Sequence, residues 1–558
     1  MLRKMRRQSA FCFVKMLLFL RGSSFAFRPR SAARLVTAGL SSSASLSAPP
    51  EDAAPPATTS VNGIRCFSHY ITVPLDHQRP DSSDSDSTLD VFVREIVADK
   101  DASSLEARQS LPPLLYLQGG PGFPAPRPTF PLSGWMDAAL KQGFRLLLLD
   151  QRGTGLSSPI TTTSLQQRFF TEDGNTAGND KADTATKVAS YVSLFRADSI
   201  VRDCELVRQK LCPEGQKFTL LGQSFGGFCI LSYLSLFPNS LERCLFTFGL
   251  APVLQRGADP VYAATYERMK TRNRRFYERY PGDRALVRRI AVHLRSADEA
   301  GTSVSLPTGS KLTLRRFLMS GLALGSADGM ERLHFILEDA WSEAEDRLST
   351  SFLKAMDDLH SFETNPLYWM LHEAIYCDGP GVASRWAAER VRQSIKAPLT
   401  KKNNGGDAVE ADTEAVETWY FDPDWVLDCD GNSEDVTPTN PLYFTGEMVF
   451  PWMGDGDFAA LAPLWPAAEV LAQKSDWPLL YNVEVLRTIG VERKIPCAAL
   501  VSYDDIYVER HFSEETADLI NCKVWITNEF QHSGLRDCPS RVFTTLLQMS
   551  KGEVALPS

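Results

Sequence analysis

Two kinds of apolar pattern succeed one another along the chain. In "HYITVPLDH" (69–77) and "LDVFVREIV" (89–97) apolar and polar positions alternate among β-branched residues, which is the period of a strand with one buried face. A polar segment rich in Asp and Ser separates them, as a turn would. Four shorter runs follow in which the apolar residues are continuous: "PPLLYLQGG", "FRLLLLDQRG", "KFTLLGQS" and "LERCLFTFG". Continuous runs bounded by glycine suit strands of a parallel sheet covered on both faces. Between them lie helical stretches, "ADSIVRDCELVRQKL" and the apolar segment after Ser224. Strands alternating with helices predict an α/β fold.

From about Ala251 to about Asp476 the pattern changes to long helical stretches rich in charge and aromatics, such as "YERMKTRNRRFYERY" and "MERLHFILEDAWSEAEDRL". Strand-plus-loop units then return in "KIPCAALVSYDD" and "NCKVWITNEFQHSGL". The organisation read from this is a leader (1–59), a first part of an α/β core (60–250), a mostly helical insertion (251–476) and a second part of the core (477–558). No internal repeat is visible. Two polar stretches without apolar anchors, "TEDGNTAGNDKADTATK" and "KKNNGGDAVEADTEAVE", read as solvated loops.

Composition narrows the function classes. A net charge of -9, with no long basic run in the body of the chain, excludes a nucleic-acid footprint. The eleven cysteines are odd in number, scattered and free of C-x-x-C pairs, which argues against both a disulfide framework and a structural zinc site. The leader is Arg- and Ser-rich with no acidic residue before Glu51, the bias of a mitochondrial or plastid transit peptide. Its apolar run, Phe11 to Leu20, is broken by Lys15 and too short to span a bilayer. A secretory signal or an extension without an address in a cytoplasmic protein are the alternatives, and the cysteine usage speaks against secretion.

Candidate chemistry centres on "FTLLGQSFGG", where Gly222, Ser224, Gly226 and Gly227 stand between a strand and a helix. Such crowding serves a tight packed turn, or a nucleophile elbow that lifts Ser224 Oγ above the strand end. A nucleophilic serine needs a base, an acid to orient it and donors for the oxyanion. Only His511 and His532 lie beyond the strand "CAALVSY". His511 sits in helix-forming sequence, whereas His532 sits in the glycine-containing loop "EFQHSGLR", so His532 is the better base. Asp504 and Asp505 end the preceding strand; Asp505 is preferred as the acid, with Asp504 as the neighbour that holds the loop. The loop "YLQGGPGFPAP" offers one oxyanion donor from Gly119 or Gly120, and Phe225 offers the other from its N–H just after the nucleophile.

Together "GGPG", "DQRGTGLS", "GQSFGG", "YDDIYV" and "QHSGLR" resemble the prolyl aminopeptidase (proline iminopeptidase) family of α/β-hydrolases, from about residue 60 onwards. The resemblance implies an α/β-hydrolase fold with a helical cap over the active site, matching the insertion. It also implies a serine aminopeptidase that releases N-terminal proline, or another small residue, from small peptides with a free amino terminus, with no metal or organic cofactor. Many relatives begin the oxyanion loop with His where this chain has Gln118, a change that backbone donors should tolerate. Glu373 and Glu447, set among aromatic residues of the cap, match by resemblance the glutamates that bind the substrate's α-amine. The competing reading is that each is half exposed or pairs with an arginine such as Arg385. Tyr376, Phe450 and Trp452 are candidate walls for a pyrrolidine ring. The rival functions are an esterase or amidase with the same triad, and a non-catalytic binding protein on the same scaffold.

Overall fold

The apolar runs assemble into a nine-stranded mixed sheet. The computed structural model describes residues 59–61, 63–80, 87–170, 179–344, 346–394, 418–430 and 440–554. Its strands are β1 (Thr59–Val61), β2 (Ile64–Pro74), β3 (Thr88–Ala98), β4 (Pro113–Leu117), β5 (Arg145–Leu149), β6 (Phe218–Gln223) and β7 (Leu241–Thr247). After a two-residue pair, β8 (Val304–Ser305) and β9 (Lys311–Leu312), come β10 (Cys497–Ser502) and β11 (Lys523–Thr527). The order across the sheet is β1-β2-β3-β5-β4-β6-β7-β10-β11. The alternating segments are β2 and β3, paired antiparallel with Tyr70 opposite Phe92. β3 is antiparallel to β5, and every later neighbour is parallel.

The continuous runs are continuous because both faces of the parallel strands are covered. Leu115 and Leu117 of β4 enter one core with Val201 and Cys204 of the helix Ala197–Leu211 and with the helix Phe225–Leu236. Leu114 and Tyr116, one residue out of phase, enter the other with Trp135, Met136 and Phe543, from the helices Gly134–Lys141 and Pro539–Lys551.

Between β7 and β10 the regular elements among the described residues are helices apart from β8 and β9, starting with the helices Asp259–Arg279 and Asp283–Glu299. It shares the first core with the sheet, and Ala54–Ser558 form one compact unit. No helix among the described residues is long and apolar enough to cross a membrane.

Local expectations need three corrections or limits. Asn179–Lys187, read as solvated loop, begins the helix Asn179–Val192, whose Ala185, Val188, Ala189 and Val192 are buried; small apolar residues three and four apart were anchor enough. "MERLHFILEDAWSEAEDRL" is helical only over Gly329–Glu338, after which Trp341 and Leu348 pair in an isolated bridge. The leader (1–58), the start of the first polar stretch (171–178) and the whole of the second (401–417) lie outside the described residues.

Candidate active site

One residue makes the turn from β6 into the helix Phe225–Leu236. Ser224 sits there at φ 52° and ψ −124°, a region that L-residues rarely adopt. Its N–H donates to the Thr247 carbonyl at 2.9 Å, and its carbonyl accepts from Gly227 N–H at 2.7 Å. The glycines let backbones close around this strain. A Cβ on Gly222 would stand 2.6 Å from the carbonyl of Gly226, and one on Gly226 would drive into the Leu117 carbonyl at the tip of β4. The crowding noted in the sequence is thus the steric condition for an elbow.

The histidine and its partner come from the ends of β11 and β10. His532 Nδ1 lies 2.8 Å from Asp505 Oδ2. Asp505 is 1% exposed, and its Oδ1 accepts the N–H groups of Tyr507 (2.8 Å) and Val508 (3.1 Å), which fixes the carboxylate's plane. The imidazole is packed by Tyr507, centroids 4.9 Å apart at 69°, and by Phe248 at 5.4 Å. His532 Nε2 is buried without a hydrogen-bond partner, so it is not bonded to Ser224 Oγ. Gln223 Nε2 donates to the His532 carbonyl at 3.4 Å, tying the elbow to the histidine loop. Asp504 turns away to Arg275 of the helix Asp259–Arg279, at 2.5 Å. His511 lies on the helix Arg510–Leu519 with a largely exposed side chain, 3.6 Å from Glu515.

The glycine loop after β4 reaches the elbow. A Cβ on Gly119 would lie 2.9 Å from Ser224 Cβ, and Gly120 adopts φ 134°. Phe225 opens its helix, where an amide has no intrahelical acceptor. The "DQRGTGLS" segment braces this loop. Fully buried Asp150 accepts the Ala125 N–H (3.1 Å) and the Leu156 N–H (2.9 Å), and Arg127 forks onto both its oxygens at 2.7 and 2.5 Å. Gln151 Nε2 holds the Gln118 carbonyl at 3.0 Å, while the Gln118 side chain accepts Tyr116 OH at 2.8 Å.

The two glutamates of the insertion have different surroundings. Glu447 accepts Tyr368 OH at 2.8 Å and has His372 Nε2 at 3.8 Å. Burial pushes its carboxyl up, but hydrogen bonding and charge from His372, with help from His532 and Tyr368, outweigh that and hold it below the usual range. Glu373 is 4% exposed, and its two oxygens accept the N–H groups of Ala387 and Ala388, each at 2.9 Å, at the start of the helix Ala387–Ser394. There burial wins over those amide bonds, and the carboxyl is pushed up to about 7. Neither glutamate is half exposed, and Arg385 is not the hydrogen-bonding partner of either. His372 also meets Tyr262 OH through Nδ1 at 3.2 Å and packs on Tyr368 at 4.7 Å.

The candidate ring walls divide. Tyr376 packs against Phe228 and His372, and with Tyr507 it lines a narrow apolar pocket. Phe450 and Trp452 instead line a separate cavity of about 260 Å³ with Arg315, Arg392 and Phe421, lined by none of Ser224, Asp505 and His532. Sequence reading missed Tyr368, His372, Tyr507 and Asp150. For the first two a signal existed, since Tyr368, His372 and Tyr376 recur every four residues beside Glu373.

Residues 112–288 match the family model of the alpha/beta hydrolase fold. A proline iminopeptidase of Aeromonas sobria is 41% identical over 493 residues, 88% of this chain and 98% of that protein. Proline iminopeptidase aneH of Aspergillus aculeatus is 30% identical over 491 residues, 86% of this chain and 93% of that one. Among solved structures, a proline iminopeptidase-related protein from Thermus thermophilus aligns over 87% of this chain and 97% of its own, at 13% identity and a TM-score of 0.30.

Proposed function

The chain belongs to the proline iminopeptidase family of α/β-hydrolases and is a hydrolase of the prolyl aminopeptidase type; from that premise we propose that it frees N-terminal proline from peptides through a Ser224–His532–Asp505 triad. Ser224 Oγ attacks the carbonyl carbon of the first peptide bond as His532 Nε2 takes the hydroxyl proton. The Phe225 N–H and that of Gly119 or Gly120 hold the oxyanion. The C–N bond then breaks, the imidazolium gives its proton to the leaving amine, and a prolyl ester remains on Ser224. Water repeats the sequence and releases proline. Asp505 keeps the proton on Nδ1 and stabilises the cation. Glu447, with Glu373, receives the substrate's ammonium, which selects an unblocked terminus.

The observation that carries this reading is the 2.8 Å Asp505–His532 pair beside the elbow, with Nε2 buried and unpartnered. It is tested with a panel of aminoacyl-naphthylamides, each free and N-acetylated. Proline should lead the panel, and acetylation should abolish turnover. Ser224→Ala and His532→Ala should each lose on the order of 10⁴-fold or more in kcat while staying folded, and Asp505→Asn nearly as much. Equal cleavage of blocked and free substrates would move the reading to a general esterase or amidase. Greater harm from Asp504→Asn than from Asp505→Asn would reassign the acid.

We also propose that the basic leader is an organellar address. The mature protein would then begin between about residues 35 and 60, and native protein that still starts at Met1 would exclude it.

A further inference from the structure

One segment of the insertion is bonded to the loop that carries the base. The short helical stretch Met319–Gly325 and the two residues after it lie along residues 531–533. His532 N–H donates to the Gly325 carbonyl at 2.9 Å, and Ala327 N–H donates to Ser533 Oγ at 3.1 Å. Ser326 and Gln531 pair as an isolated antiparallel bridge, with Gln531 at φ 48°. The insertion therefore holds this loop through the backbone at Gln531 and His532 and through the side chain of Ser533.

The same strap touches the imidazole's packing partner. Tyr507 OH donates to the Leu322 carbonyl, and its ring packs on His532. A Cβ on Gly325 would overlap the phenol end of the Tyr507 side chain, at Cζ and its hydroxyl, so only glycine leaves the ring where it is. The strap is fastened in turn from the long helix Asp259–Arg279, whose buried Arg272 donates to the carbonyls of Leu324 at 3.0 Å and Ser326 at 3.4 Å.

We propose that this strap is a positioning element for the general base, with Gly325 and Tyr507 as its positioning residues, so that docking of the insertion and alignment of the Asp505–His532 pair are one event. The proposal rests on the assignment of His532 as base. It separates two duties of the insertion: the glutamates select the substrate's amine, while the strap sets the geometry of a step common to every acyl substrate.

The test compares wild type, Gly325→Ala, Tyr507→Phe and His532→Ala on prolyl-naphthylamide and on p-nitrophenyl acetate, an ester with no ammonium. Gly325→Ala should lower kcat for both substrates by a similar factor of about ten to a hundred, the scale of a misplaced catalytic group, with KM for the prolyl amide little changed. Tyr507→Phe keeps the ring and loses only its bond to Leu322, so it should fold and show a smaller loss of the same kind. In proton NMR the far-downfield Nδ1–H resonance of the Asp505–His532 pair should broaden or shift in Gly325→Ala. If both strap variants kept ester turnover and that resonance and lost only affinity for the prolyl amide, the strap would be part of the substrate pocket and the proposal would fall. If instead His532→Ala hydrolysed the ester at the wild-type rate, the base assignment would fail first.

Discussion

Two glutamates a reader of the sequence would treat alike are held by different hydrogen-bond partners. Glu447, its carboxyl held below the usual range, is faced by Tyr368 and His372, so Glu447→Gln should cut kcat/KM for prolyl-naphthylamide by about ten- to a hundred-fold, with a much smaller effect on p-nitrophenyl acetate. Equal losses on the two substrates would make it a structural support. Glu373 spends both oxygens on backbone amides, and a Gln there must turn its NH₂ toward one of those donors. Glu373→Gln should therefore also cost about 1–3 kcal/mol of stability, seen in thermal unfolding. Its pH dependence has a definite sign. The folded carboxyl titrates near 7 against 4.5 when unfolded, so the folded state binds the proton more tightly. That contribution is complete below 4.5 and is lost as pH rises through 7. Across that window wild type should lose stability relative to Glu373→Gln; a constant difference would refute the burial argument. At this scale the Asp505–His532 pairing was legible, because order along the chain limits the candidate base to two histidines and the candidate acid to two neighbours. What could not be read was the company each keeps. Tyr507 touches His532 only because β10 and β11 end side by side, and no local pattern announces that.

Strands proved easier to read than helices, for a physical reason. A strand buried on both faces is apolar along most of its length, as β4 is throughout and as β5 and β6 are apart from Arg145, Thr219 and Gln223. A helix resting one narrow stripe on the core can be polar elsewhere, as Asn179–Val192 is, and its four small anchors disappear among charges. The loops were legible as glycine-rich but not as braced. Asp150 holds two amides and an arginine at once, and its motif reads as only another strand end. Asp150→Ala should leave those donors unpaired, cost about 1–3 kcal/mol in urea unfolding, and lower kcat on ester and amide together, because the oxyanion loop slackens. Full activity in a measurably destabilised variant would show that the loop holds its shape without the brace.

All the residues assigned to the site lie within the compact unit Ala54–Ser558, so a chain starting at Ala54 should hydrolyse prolyl-naphthylamide as the full chain does. A large loss of kcat would give the leader a part in the fold. The broad plan was legible from the switch between apolar patterns, whereas the shared core of sheet and insertion was not, since it depends on contacts between segments hundreds of residues apart. That distance also governs the protein's birth. Gln223 bonds to the carbonyl of His532 across 309 positions, and of the strands β10 and β11 are made last, with β11 taking the edge of the sheet. On the ribosome the serine emerges long before its partners, and closing so long a loop is slow. Under the proposed triad, a chain made only as far as β7 holds the nucleophile without its base or its acid, and should release no proline from the free termini around it.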